Sequence, residues 1–510
     1  MLNFTNIARA LLAPTVRGAS AWENPEGMEG TQRKVLAELL AKGSRTVVGS
    51  RHGFAYFKGY EDFASRVPLV DYEDIRPEVM RMVAGEKNIL WPGRTTSFAQ
   101  SSGTSGGKSK FIPITSEGLK ANHYAGTRYA VAFYLDLYRE SRLFGGRSFI
   151  LGGSFANELP EVPGGVRVGD LSATLIRSIP RVAEIFRVPS RRTALMSDWT
   201  QKLPALVEES LGKDITNISG VPSWFLTVLR EVIHRAGATT IHDVWPNLEV
   251  FFHGGIAFGP YRSQYAAITD PAKMRYLETY NASEGFFAVA DSREAPGMRL
   301  LADTGAFYEF MEPDGTVRPA WKVEPGRVYE LAVTSCNGLW RYRIGDTVRI
   351  ESIEPLRISV AGRTKCFINA FGEELMVHNA ESAIAAACAD TGAEVADFTA
   401  SPVYADGAHK GHHQWLIEWR RRPAGGEQAF AASLDSHLCA VNSDYQAKRS
   451  GDIFLDGPEV VSLPEGTFHR WLASTGKLGG QRKVPRLCND RRIADQILNS
   501  FKLKNNSIKP

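Results

Sequence analysis

The ten residues Ser101 to Lys110, SSGTSGGKSK, constrain this chain more than any other stretch. Gly103, Gly106 and Gly107 let the backbone bend sharply and come close to a partner, while Ser101, Ser102, Thr104 and Ser105 add donors without bulk. Lys108 and Lys110 add positive charge. Hydroxyls, bare backbone N–H groups and ammonium groups in one short run suit the phosphates of ATP. Taken alone, the same run also suits a flexible Gly/Ser loop.

Two other motifs overlap these residues. Gly107-Lys108-Ser109 matches the end of the P-loop pattern, but Ser102 stands where its first glycine belongs. Gly103-Thr104-Ser105-Gly106-Gly107 satisfies the G-x-S-x-G elbow of serine hydrolases, and His253-Gly254-Gly255 faintly echoes an oxyanion motif. An elbow follows a buried strand, whereas Arg94 to Gln100 is largely polar, and the His-Gly-Gly lies after the serine although esterases carry it before. A hydrolase built on Ser105 is therefore the weaker alternative.

Two further segments bear on the choice, Thr279 to Gly285 (TYNASEG) and Leu339 to Val348 (LWRYRIGDTV). Each also fits a plain structural role, the first as a strand end running into a turn, the second as a strand with Trp340, Tyr342 and Ile344 on one side. In order and at these spacings, the three segments resemble the nucleotide-binding signatures of the Gretchen Hagen family of acyl acid-amido synthetases, within the adenylate-forming superfamily that includes acyl-CoA synthetases and luciferase. The resemblance extends over nearly the whole chain. Before the loop it takes in Phe63 to Tyr72, Ile75 to Pro77 and Gly85 to Lys87; after it, Ser219 to Trp224 (SGVPSW), Trp245 to Gly255 (WPNLEVFFHGG), Asp303 to Phe310 (DTGAFYEF) and Phe367 to Leu375 (FINAFGEEL). Asn442 to Arg449 and Gly480 to Leu487 (GQRKVPRL) complete it. The chain departs from the plant pattern at Gly106, where alanine is common, and at Asn281-Ala282-Ser283-Glu284, which replaces a more serine-rich sequence. Its shortness points to a microbial homologue.

The resemblance implies an α/β fold: a large N-terminal luciferase-like adenylating domain of α/β sheets plus a small β-barrel (1–361), a hinge at 362–365, and a smaller mobile α+β C-terminal domain (366–510). It implies ATP and Mg2+ as cofactors, a small carboxylic acid activated as its acyl-adenylate, and an amino acid or other amine as acceptor. Ser101, Ser102, Gly103, Thr104 and Ser105 with Lys110 would hold phosphates, while Lys108 stays a solvated loop residue. Tyr280 would stack on adenine and Gly254 and Gly255 would let the base lie against bare backbone. Ser283 would bind a phosphate, and Glu284 is suited to the metal as a hard oxygen ligand. Asp346 would accept from both ribose hydroxyls and Arg363 would reach the same sugar; Asp346 is alternatively a turn cap after Gly345. Lys483 matches the C-terminal lysine that such enzymes bring in for adenylation, with Lys477 as fallback. Val221, Trp224 and Phe258 flank matched motifs and are candidates for the acyl pocket or for ordinary core. A thiol acceptor, coenzyme A or a carrier protein, is the alternative within the fold, and a nonenzymatic nucleotide-binding regulator the alternative outside it.

Composition excludes several other classes. Sixty Lys and Arg against 56 Asp and Glu give a formal charge of +4, too mild for a nucleic-acid partner, so positive potential should be local. Five cysteines, widely spaced and without a C-x-x-C pair, indicate neither a disulfide framework nor a zinc site and fit a reducing cytoplasm. Arg9 and Pro14 break the apolar stretch that a signal peptide would need, so the first 22 residues are expected to be a helix, and no run approaches a membrane span. A monomer is expected.

Local patterns place the elements. Val35, Leu36, Leu39 and Leu40 share a helical face behind a possible Thr31 cap, Thr115 to Tyr138 and Ser223 to Ala236 are helices, and Ser148 to Leu151 and Leu248 to Phe252 are short buried strands. From Val328 to Ile350 closely spaced strands joined by Cys336-Asn337-Gly338 suit a small antiparallel sheet or barrel. Val395 to Tyr404 and Gln414 to Arg420 alternate as strands around Ala405 to His413, where His409, His412 and His413 are expected at a solvated hairpin tip rather than on a metal.

Overall fold

The computed structural model describes residues 3–101, 109–157, 159, 161–256, 258–363, 367–405, 410–474 and 484–505. The chain forms two compact bodies. The first takes in the described residues up to Gly255 and those of 266–364; the second takes in 365–510 together with the stretch 256–265.

In the first body the chain runs through β1 (Ser97–Ser101), β2 (Lys110–Pro113), β3 (Arg147–Ile150), β4 (Arg167–Gly169), β5 (Arg187–Val188), β6 (Ile215–Gly220), β7 (Val250–His253) and β8 (Arg275–Ala282). It continues through β9 (Gly285–Val289), β10 (Met298–Leu300), β11 (Ala306–Met311), β12 (Val317–Pro319), β13 (Val328–Ser335), β14 (Leu339–Ile353) and β15 (Leu356–Arg363). Twelve of these strands form one sheet in the order β12-β11-β13-β14-β15-β10-β9-β8-β7-β6-β3-β5, and β2-β1-β4 form a separate small one. The block β5-β3-β6-β7-β8 is parallel, and pairing turns antiparallel at β8–β9.

Crossover helices explain the parallel block. Helix Pro222–Ala236 starts with Pro222 at its first turn, where no N–H is missed, and stops at Gly237, whose φ of +63° few other residues adopt. Its buried face sets Phe225 against Phe149 and Phe251, each with ring centroids 5.3 Å away. The antiparallel strands suggested by the closely spaced pattern after Val328 are present, and they continue the main sheet.

That sheet is strongly curled. Tyr280 on β8 and Asp346 on β14 lie four strands apart, about 19 Å on a flat sheet at the usual strand spacing. The Tyr280 hydroxyl nevertheless donates to Asp346 Oδ2 over 2.6 Å. Bulges in β14 opposite β13 and β15 supply part of the bend.

Two local expectations are corrected. Thr31 does not cap a helix: the helix spans Pro25–Gly43, and Asn24 caps it by accepting from Gly27 N. An Asn-Pro pair outcompetes an internal threonine as a start signal. His412 and His413 are not at a solvated tip: both lie in a strand, His412–Arg421. His413 is fully buried with its Nε2 2.8 Å from Glu373 Oε1, and His412 Nε2 is 3.2 Å from Glu459 Oε2. Their acidic partners come from remote sequence, which local spacing does not reveal. His409 lies outside the described residues.

The second body pairs strand Glu394–Val403 antiparallel with His412–Arg421, and the latter parallel with Glu459–Leu463. Helices Val377–Thr391 and Gly426–Val441 accompany this sheet. The stretch 256–265 is tied in by the Tyr261 hydroxyl, which donates to Ala370 O over 2.5 Å. Among the described residues no helix is long and apolar enough to cross a membrane.

Candidate functional site

The parallel strands deliver their C-terminal ends together, the usual place for a ligand in an open α/β sheet. Val221 follows β6, Gly254 and Gly255 follow β7, and Asn281 to Glu284 close β8. The switch from parallel to antiparallel pairing falls on β8 itself.

Ser283 and Glu284 are the two turn residues between paired Ala282 and Gly285. Glu284 is buried, and its carbonyl accepts from Asn337 Nδ2 over 3.3 Å. Asn337 also accepts from Thr115 N, so one fully buried amide clamps the turn to the segment that follows β2. A Cβ on Gly118 would sit 1.8 Å from Asn337 Oδ1, so that close approach demands glycine. The sequence marked Asn337 only as a turn residue; a polar side chain beside Gly338 was its sole signal.

Tyr280 is mostly buried, packed edge-on against Phe287 with centroids 5.2 Å apart, and its hydroxyl fixes the Asp346 carboxylate. Asp346 lies within a strand, opposite Arg363 in the β14–β15 register, so it is not a turn cap. The two glycines after β7 answer different needs. A Cβ on Gly254 would lie 2.3 Å from Thr279 O, whereas Gly255 adopts a φ of +84° with Val221 Cγ2 3.4 Å from where its Cβ would be. Neighbouring backbone alone thus forbids a side chain at Gly254.

Ser101 and Lys110 face each other across the antiparallel β1–β2 pair, so the two ends of the glycine-rich run are held together. Ser102, Gly103, Thr104, Ser105 and Lys108 lie outside the described residues, as do Lys477 and Lys483 and the hinge positions 364 and 365. Lys110 is buried, its Nζ 3.5 Å from the Tyr342 hydroxyl. The flanks decide against both rival motifs. A nucleophile elbow and a P-loop each lead from strand to helix, whereas this run leads from one antiparallel strand into the next.

The acyl-pocket candidates separate. Val221 and Trp224 belong to the first body, where Trp224 packs edge-on to Trp199 at 4.6 Å. Phe258 belongs to the second, with Tyr265 at 5.4 Å and the Arg262 guanidinium 5.3 Å above its ring.

A buried histidine adjoins the β8 turn. Gly118–His123 form a π-helical turn, with Tyr124 N donating to Leu119 O, and the widened turn directs both Asn122 and His123 inward. Asn122 accepts from Phe286 N over 2.6 Å and donates to Thr304 O over 2.9 Å. Burial pushes the His123 imidazole down to about 4, opposed by its interaction with the Asn281 side chain. An unfolded histidine takes its proton near pH ~6.5, so this site should cost stability progressively as pH falls from there towards 4, on the order of 3 kcal/mol in all. Thermal unfolding of His123→Asn is expected to depend less on pH over that range; an unchanged profile would place the acid sensitivity elsewhere.

Among the described residues no cluster of three or more His, Cys, Asp or Glu stands ready for a metal. A single buried carboxylate, Glu284, suits a magnesium ion that takes its remaining oxygens from water and phosphate.

Comparison with known proteins gives a consistent set of likenesses. The family description "GH3 family N-terminal domain" matches residues 25–203, "GH3 family central domain" residues 299–363, and "GH3 family C-terminal domain" residues 378–492. The probable indole-3-acetic acid-amido synthetase GH3.1 of Oryza sativa subsp. japonica is 24% identical, covering 89% of this chain and 86% of that protein. Indole-3-acetic acid-amido synthetase GH3.3 of Arabidopsis thaliana is 23% identical, covering 91% and 90%. Of solved structures, AtGH3.15 acyl acid amido synthetase in complex with 2,4-DB superposes with a TM-score of 0.59 at 19% identity, covering 97% and 96% of the two chains. A 2-hydroxyisobutyryl-CoA ligase in complex with 2-HIB-AMP and CoA gives 0.56 at 15% identity, covering 93% and 92%.

Proposed function

This chain belongs to the GH3 family, and from that premise we propose that it is an acyl acid-amido synthetase, a ligase that joins a small carboxylic acid to an amine by way of an acyl-adenylate. The observation that carries the reading is the Tyr280–Asp346 pair, which fixes a buried carboxylate beside the Glu284 turn where the parallel strands end. A ribose-binding acid, a metal-binding acid and a phosphate loop are the parts that adenylation requires.

In the first step a carboxylate oxygen of the acid attacks the α-phosphorus of ATP, and the bond to the β-phosphate oxygen breaks with pyrophosphate leaving. Both reactants are anionic, so positive charge and oriented donors lower the barrier. Ser101 to Ser105 and Lys110 serve the phosphates, Ser283 the phosphate beside the acyl group, and Tyr280 with Gly254 and Gly255 the adenine. Asp346 and Arg363, facing positions on β14 and β15, serve the ribose. Magnesium held through Glu284 would neutralise phosphate charge as a Lewis acid. Lys483 assists adenylation from the C-terminal domain (366–510), and a change of domain orientation about 362–365 then admits the amine. In the second step the amine nitrogen attacks the acyl carbon, AMP leaves, and the nitrogen gives up a proton.

Val221 and Trp224, which adjoin the C-terminal end of β6, serve the acyl group. The chain acts as a monomer in the cytoplasm on small-molecule substrates.

The test is acid-dependent pyrophosphate release across a panel of acids and amines, with products identified by mass. An amide that depends on the free amine of an amino acid is expected, with coenzyme A a poor acceptor. Turnover with coenzyme A and with no amine would reassign the second step to thioester formation. Labelling of Ser105 by a fluorophosphonate would revive the hydrolase.

A further inference from the structure

His123 and Asn281 are two polar residues at the candidate site that the assignments above leave without a task. His123 is fully buried, and among the described residues its one polar neighbour is Asn281, with which its ring makes no well-aligned hydrogen bond. Asn281 lies within interaction range of the imidazole, and its buried Oδ1 likewise lacks a well-aligned partner. Buried polar atoms are almost always paired, because an unpaired one forfeits its hydration for nothing in return. Among the described residues the two side chains thus have only each other as polar partners, in a loose arrangement that leaves room to tighten.

Their surroundings hold them there. Asn122, the neighbour of His123, ties the helix to the backbone of Phe286 and of Thr304, and Gly126 permits this close approach, since a Cβ there would meet the Phe286 ring at 2.3 Å. Asn281 sits between Tyr280 and the Ser283–Glu284 turn, at a bulge in the β8–β9 register. Asn281 is half-buried, and with Oδ1 turned towards the ring its Nδ2 is the donor left to face outward.

Resting on the synthetase reading above, we propose that Asn281 Nδ2 donates to the carboxylate oxygen that does not attack phosphorus, and that His123 is the positioning residue that orients this carboxamide. That oxygen stays on the acyl group throughout. It is the carbonyl oxygen of the acyl-adenylate, and it takes up negative charge when the amine adds to the acyl carbon. A donor aimed at it serves both half-reactions, unlike a group that serves only departing pyrophosphate. Burial keeps the imidazole neutral near pH 7, so one ring N–H can hold Oδ1 without adding a charge to the site. Loose alignment before substrate arrives is common for groups that tighten in the reacting complex.

The half-reactions are measured separately, pyrophosphate release with acid and ATP, and amide formation from presynthesised acyl-adenylate and amine. Asn281→Ala is expected to lower the rate constant of both by about tenfold, with KM for ATP changed less than twofold. His123→Ala is expected to lower both several-fold, and His123→Gln, which keeps a neutral donor, to recover most of that loss. Acting through Asn281, His123→Ala should add nothing further in an Asn281→Ala background. Wild-type rates for folded Asn281→Ala in both half-reactions would overturn the substrate contact, and additive losses in the double variant would overturn the positioning role. Asn281→Ala decides the matter alone if His123→Ala fails to fold. Absence of acid-dependent pyrophosphate release by the unaltered protein would instead remove the synthetase reading, and this inference with it.

Discussion

Asp346→Ala is expected to lower acid-dependent pyrophosphate release by a hundredfold or more while leaving a folded protein. The carboxylate is buried, oriented by the Tyr280 hydroxyl at 2.6 Å, and placed opposite Arg363. Its loss removes the proposed ribose acceptor, and each ~1.4 kcal/mol of lost transition-state stabilisation is a factor of ten. The substitution also removes one hydrogen bond of the buried Tyr280 hydroxyl, at about 1 kcal/mol of stability. Tyr280→Phe separates the two effects, because it keeps the carboxylate and removes only its anchor. A smaller loss of rate is expected there, and Glu284→Ala should match Asp346→Ala through the metal. Near-normal pyrophosphate release by folded Asp346→Ala and Glu284→Ala would reject both assignments.

Lys483→Ala is expected to slow acyl-adenylate formation by up to about a thousandfold, the range for losing one charge-stabilising group. Amide formation from presynthesised acyl-adenylate should proceed at nearly the wild-type rate, because no pyrophosphate leaves in that step. Equal losses in both half-reactions would remove Lys483 from this role. Comparison with Asn281→Ala is informative, since that variant is expected to slow both steps and Lys483→Ala only one.

The segments around the candidate site are legible in the sequence because they are short and local. The segment TYNASEG, the segment LWRYRIGDTV that carries Asp346 and the run SSGTSGGKSK each fall within about ten residues, so residue order alone exposes them. What escaped was remote pairing. Glu373 and Glu459 reach His413 and His412 from 40 and 47 positions away. Asn337 reaches Thr115 across 222 positions, and His123 meets Asn281 because an inserted turn of helix points it inward. Helical periodicity does not foresee a π turn, which breaks it. The helix start at Asn24 lies a turn and more before the apolar stripe, so the stripe itself does not mark it.

The pairing of β15 governs how the first body can be made on its own. β15 hydrogen-bonds to β14, its immediate predecessor, and to β10, some sixty positions earlier. A fragment ending before Leu356 would expose one side of each, two ready templates for another chain and hence for aggregation. Expression of this body alone must therefore run through Arg363, and during synthesis the sheet stays open until that residue has left the ribosome.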